Sequence, residues 1–269
     1  MTQTIKDDDF RFIKNKLLEY VKIIFDKYGN YIDNAHKLNV IANLDNLLKW
    51  NDGKTISFLV RDSALYLPNQ AYSVFEQLKK SERYGIRKRK YETSQYLKVD
   101  TTYNDYINEV IECGLTPTEY FLESLLHETM HLCGSTGSTP LEEGINELKT
   151  RELAQGRKID IAAMAYPKEV EIALMFQKII GQGLMSQLTF ILPNEKYGFL
   201  ESNKGVEYAN LYTKVSQMMA TKSRCSMLGT GNPYVKASQY DKINYNEEKE
   251  LIQLFIRNSE NGPIERRIK

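Results

Sequence analysis

Two helix starts dominate the middle of this chain. Thr116-Pro117-Thr118-Glu119 and Thr139-Pro140-Leu141-Glu142 each set a threonine three residues ahead of a glutamate, with proline at the first helical position. In such a box the hydroxyl and the carboxylate satisfy backbone N–H groups that the first turn leaves without partners. Proline is tolerated there because its missing N–H has no helical acceptor to lose. Gly134-Ser135-Thr136-Gly137-Ser138, between the two, reads as a flexible connection. Two consecutive helices are therefore expected, whatever surrounds them.

The first of these helices carries Tyr120, Phe121, Leu125, Leu126, Met130 and Leu132, and with them His127-Glu128-Thr129-Met130-His131. Residues four apart on a helix lie one turn apart on nearly the same face. Two imidazoles so placed can both reach one ion at about 2.0–2.1 Å. Glu128 projects at a neighbouring angle and can touch a metal-bound water without being a ligand. The chain has 3 histidines and two of them are here. The third, His36, falls in a distant N-terminal helix and reads as structural or exposed. A catalytic zinc site takes three protein ligands and keeps a position for water, so a carboxylate or Cys133 must complete this one. Cys133 lies about 200° round the helix from His131 and points away. The carboxylates are Glu143 and Glu147, one turn apart on the second capped helix. One can bind the metal, and the other can accept a hydrogen bond from a ligand histidine's second nitrogen, fixing its tautomer.

His127-Glu128-x-x-His131 followed on the next helix by Glu143-Gly144-x-x-Glu147 resembles the gluzincin group of zinc metallopeptidases. A third histidine about twelve residues past the motif is absent, which separates the chain from metzincins. The resemblance implies that Glu143 is the third zinc ligand and Glu147 the acidic residue behind the ligands, with Glu142 where the group often has asparagine. A second alignment takes Asn146-Glu147 as the ligand context, but it puts Arg151 where an acid belongs. The resemblance covers about residues 116–156. It further implies that Glu128 takes a proton from the attacking water and passes it to the leaving amine. A donor for the developing oxyanion is expected from a later His or Tyr. No histidine follows His131, and Tyr166 is the candidate by its nearness in sequence. Peptide substrates of the group lie along an edge strand ahead of the motif helix, a place that residues 91–103 or 55–60 can fill.

The rest of the chain reads as support. Phe10, Ile13, Leu17, Val21, Ile24 and Tyr28 recur at helical spacing, with Gly29-Asn30 as the stop. Ile32, Ala35, Ile41, Leu44 and Leu48 suggest a second helical stretch, and Asp52-Gly53 a turn. Ile56 to Val60 reads as a buried strand, and Leu65-Tyr66-Leu67 extends the sheet. Short helices are expected around residues 71–78 and 106–111, a solvated basic loop over 83–90, and an extended segment over 91–103. Gly156 is expected to end the second capped helix. Tyr166-Pro167 opens another, with Gly181 after it, and residues 205–221 and 246–257 read as helical around a long loop over 222–245.

Composition enters as an exclusion. Thirty-six basic against 35 acidic residues give a net charge of +1, which offers no electrostatic case for nucleic acid or a membrane as partner. Three cysteines do not make a disulfide framework. No uninterrupted apolar run is long enough to span a bilayer, and the acidic N-terminus does not read as a signal peptide. The chain is expected to be soluble and cytoplasmic, with release by a route without a cleaved signal as the alternative. Nothing in it sets an oligomeric state.

The expected architecture is α+β and helix-rich. It is a zincin-like fold with a helical extension over residues 1–50 and a metallopeptidase unit over 51–269, whose active-site core spans 116–181. The expected function is zinc-dependent hydrolysis of peptide bonds in a peptide or protein substrate, with one Zn2+ per chain. Two rivals share the scaffold: a zinc-binding regulatory or partner-binding protein without catalysis, and a toxin-like peptidase acting in another cell. Glu128 argues against the first, because binding alone needs the ligands but not the base.

Overall fold

The computed structural model describes residues 7–43, 48–51, 59–61, 64–68, 117–134, 139–157, 166–228 and 243–261. These are mostly helical. They fall into two compact units, one of residues 1–136 and 150–164, the other of residues 137–149 and 165–269.

The first unit opens with α1 (Asp7–Tyr28), followed by a single 3-10 turn at Gly29–Tyr31. Leu17, Val21, Ile24 and Tyr28 are buried, as the three- and four-residue spacing predicts, and Tyr20 is buried beside them. Helix α2 (Asn34–Ala42) starts at Asp33, whose carboxylate accepts from the N–H of His36 at 2.9 Å. It stops earlier than the apolar spacing suggested. At Asn43 the side-chain amide donates to the carbonyl of Asn39 at 2.8 Å, and the backbone N–H turns back to the same carbonyl. Leu48 then belongs to a strand, β1 (Leu48–Asn51), instead of a continuing helix.

Strands β2 (Leu59–Arg61) and β3 (Ala64–Pro68) form an antiparallel pair, with Val60 opposite Leu65. Strand β1 runs parallel to β3 on its other side, with Trp50 opposite Leu67, so the sheet order is β1-β3-β2. The expected strand residues Leu59 and Val60 and the run Leu65–Leu67 are thus in the sheet, and Ile56–Phe58 lie outside the described residues. The motif helix α3 (Pro117–Cys133) packs against α1 and α2 and meets β2 and β3. Leu125, Leu126, Met130, Leu132 and Cys133 are buried on it. The expected elements between residues 71 and 111, the basic run 83–90 among them, lie outside the described residues. So do the capping threonine Thr116 and the loop residues 135–138.

Helix α4 (Pro140–Arg157) contributes residues to both units and runs one residue past Gly156. The second unit continues with α5 (Pro167–Ile180), α6 (Gln182–Phe190), α7 (Lys196–Lys204), α8 (Val206–Leu228) and α9 (Asn246–Asn261). Gly181 and Gly205, at φ +93° and +116°, make the sharp breaks after α5 and α7. Leu141, Ile145, Val170, Phe176, Leu188 and Val215 are part of one core, in which the rings of Phe176 and Tyr212 meet edge to face at 5.6 Å. Two of these helices, α6 and α7, were not anticipated, and α8 extends to Leu228 through the start of the expected loop. Among the described residues, no helix is long and apolar enough to cross a membrane.

Candidate metal centre

His127 and His131 stand one turn apart on α3, both buried, with ring centroids 5.0 Å apart and planes at 71°. The edge-to-face arrangement keeps two ring nitrogens near each other without stacking the rings. Between them Thr129 is fully buried, and its hydroxyl donates to the carbonyl of Leu125 at 2.6 Å. That back-bond gives the buried hydroxyl a partner within its own helix. Glu128 is half-buried on the same turn.

Helix α4 supplies the third donor. One ligand atom each from His127, His131 and Glu143 lies within 4.8 Å of the other two. Donors about 2.1 Å from a tetrahedral ion sit about 3.4 Å from one another, a separation that a bound ion would impose on these three atoms. Two imidazoles and one carboxylate form a nitrogen and oxygen donor set of the composition that zinc accepts, with a coordination position left for water. By its donor chemistry the cluster fits the expected ion.

The glutamate stands where it does because the start of α4 is built tightly. The box expected at Thr139 is present in both directions. The N–H of Glu142 donates to Thr139 Oγ1 at 3.3 Å, and the N–H of Thr139 donates to Glu142 Oε2 at 3.2 Å. The N–H of Glu143 donates to the carbonyl of Thr139 at 2.9 Å. On the far side of Glu143, Gly144 lies against α5. A Cβ built on it would collide with the carbonyl of Glu169 and stand 2.8 Å from the Cβ of that residue. Glu169 is itself buried and accepts from the hydroxyl of Tyr245 at 2.9 Å.

The other expected residues are placed as follows. Glu147 is fully buried on α4, and it is not among the three donors brought together. Cys133 is fully buried, and burial pushes its thiol pKa up, which suits a packing residue and not a thiolate ligand. His36 is half-buried, and its Nε2 lies 3.1 Å from the carbonyl of Leu132. In the Nε2–H tautomer the ring donates to that carbonyl near the end of the motif helix. Tyr166 precedes Pro167 at the start of α5 and packs against the core of the second unit. Its backbone is left-handed, at φ 51° and ψ 46°, which is costly for a bulky residue.

Two features carried no local signal. Lys196, 3% exposed at the start of α7, donates to Glu142 Oε1 at 2.9 Å. Lys149, fully buried on α4, donates to Gln177 Oε1 at 2.6 Å. Both are lysines whose burial follows from partners far along the chain. Comparison with protein-family profiles, with curated proteins and with solved structures finds no match to this chain.

Proposed function

We propose that the chain is a zinc-dependent peptidase of gluzincin type on a zincin-like fold. The observation that carries this reading is the convergence of His127, His131 and Glu143, with a half-buried glutamate between the two histidines in sequence. A structural zinc site is closed by four protein ligands, whereas the three that converge among the described residues leave a position for water. A metal-binding module also has no use for the carboxylate at position 128.

His127, His131 and Glu143 would hold the zinc, which would supply the Lewis acidity for activating water and polarising a carbonyl. The protein's own part is proton handling and alignment. Glu128 accepts the proton released as water attacks the peptide carbonyl and returns it to the departing amine. Glu147, one turn beyond Glu143, is assigned to hold a ligand side chain in orientation. Tyr166 is assigned as the hydroxyl donor to the oxyanion. The substrate is a peptide or a protein. A cytoplasmic setting fits the three sparse cysteines.

The test is zinc content and peptide hydrolysis on the full chain. Wild type is expected to hold about one zinc per chain and His131→Ala to lose it. Glu128→Gln is expected to keep the zinc and to lose turnover by at least about 100-fold. Tyr166→Phe should lower turnover more than it weakens substrate binding. Retained turnover in Glu128→Gln removes the assigned base. Zinc binding by a wild type inactive on broad peptide libraries would move the reading to a non-catalytic zinc protein.

A further inference from the structure

Glu143 is the one donor of the three that is not on the motif helix, so the geometry of the centre depends on what fixes the start of α4. The residue before it, Glu142, is 8% exposed and is held through both carboxylate oxygens. Oε2 accepts from the N–H and the hydroxyl of Thr139 at 3.2 and 3.1 Å, and Oε1 accepts from Lys196 Nζ at 2.9 Å. Thr139 is tied in turn, because Ser216 Oγ lies 3.4 Å from its hydroxyl. The hydroxyl of Tyr212 is buried without a hydrogen-bond partner, and burial, with the charge of Glu142, holds the phenol protonated.

A capping box is complete with its threonine and its glutamate alone. This one is buried and recruits an ammonium from 54 residues away. An apolar side chain fills such a space at lower cost, since burying two charges is expensive even when they pair. What the charged pair adds is direction. It fixes the carboxylate of Glu142 against a point on α7, and with it the rotation of the first turn. Glu143 follows about 100° further round that turn, with Gly144 pressed against Glu169 immediately after it.

We propose that Lys196 is a positioning residue for the metal centre: through Glu142 it sets where Glu143 stands, and so sets the affinity of the site for its ion. The inference rests on Glu143 being the third ligand. Lys196 acts through Glu142 and is assigned no contact with metal or substrate.

The experiment titrates the full chain with Co(II) against a chromophoric chelator and records the d–d absorption as a report on coordination geometry. Urea unfolding is measured beside it. Wild type is compared with Lys196→Met, Lys196→Arg and Val215→Ala, the last a cavity in the same core that lies outside the clamp. Lys196→Met is expected to weaken Co(II) binding by about 10- to 100-fold, the range of other residues that orient a ligand, and to change the d–d band. Lys196→Arg keeps the charge but adds bulk at a buried site, so its loss should be smaller than that of Lys196→Met. Val215→Ala should lose stability and keep its affinity.

Unchanged affinity in Lys196→Met overturns the proposal. So does an equal loss in Val215→Ala, which would mean that affinity merely tracks stability. If Lys196→Met does not fold, Glu142→Gln decides in its place: it keeps an acceptor for Thr139 and removes the charge facing Lys196. The same loss is expected there, and an unchanged affinity overturns the proposal. A wild type that binds no Co(II) overturns the metal centre itself, a failure distinct from a wild type and Lys196→Met that bind equally well.

Discussion

Glu143 and Glu147 are the same residue type one turn apart, and burial separates them. Glu143 is half-buried and within reach of both histidines, whereas Glu147 is fully buried on the same helix. Glu143→Ala should therefore abolish stoichiometric zinc, read as metal per chain after dialysis. Glu147→Ala should retain zinc with an affinity lower by about 10- to 100-fold and should lower the unfolding midpoint. The opposite ranking in metal content would exchange the two roles. At this scale much of the centre was legible, because its information is local. A four-residue spacing, a capped helix and a glutamate on the next helix are all readable within residues 116–147. Lys196 was not legible, because its partner is set by how α7 meets α4 and nothing near it in sequence marks it. Nor was the left-handed backbone of Tyr166. The sequence around it says only that a helix begins at the following proline.

At the scale of elements, the approach of α4 to α5 is the most demanding contact described. Alanine is a better helix former than glycine by about 1 kcal/mol, so Gly144→Ala taken alone favours the helix. The added methyl group would meet the backbone of Glu169, however, and overpacking typically costs about 1–3 kcal/mol. We expect Gly144→Ala to lower stability in urea unfolding and to weaken metal binding, since the neighbouring residue is Glu143. A variant more stable than wild type would show that the two helices separate freely. Helices with strong ends were legible here: α1 ends before Gly29, α4 begins at the Thr139 box, and α5 lies between Pro167 and Gly181. Elements decided by tertiary contacts were not. Leu48 continues an apolar period and yet enters a strand, because the asparagine at position 43 closes α2 first. The segment that became α6 and α7 is interrupted by glycine and proline, and its apolar set, Leu184, Met185 and Leu188, spans little more than one turn.

For the whole molecule, the buried protic groups point to a limit on the alkaline side. Cys133, Tyr20, Tyr28 and Tyr212 all have raised pKa values, chiefly from burial. In the unfolded chain they ionise near pH 8.5 for cysteine and near 10 for tyrosine, while the folded chain keeps these protons. The native state then binds more protons than the unfolded one, and stability falls as pH rises, by up to about 1.4 kcal/mol per pH unit for each such group. The urea midpoint should drop steeply between about pH 8.5 and 11, and Cys133→Ala should soften the first part of that drop. A midpoint flat across this range would mean that these groups ionise in the folded state. The burial of Lys196 also has a consequence in time. Protein synthesis adds about 5–20 residues per second, and the partner of Glu142 lies 54 residues downstream. A ribosome therefore completes Glu142 and Glu143 some 3–10 s before the lysine that pairs with Glu142 exists. On the proposed role of Lys196, Glu143 is made early and positioned late, so a nascent molecule would gain its full affinity for an ion only when its C-terminal half arrives.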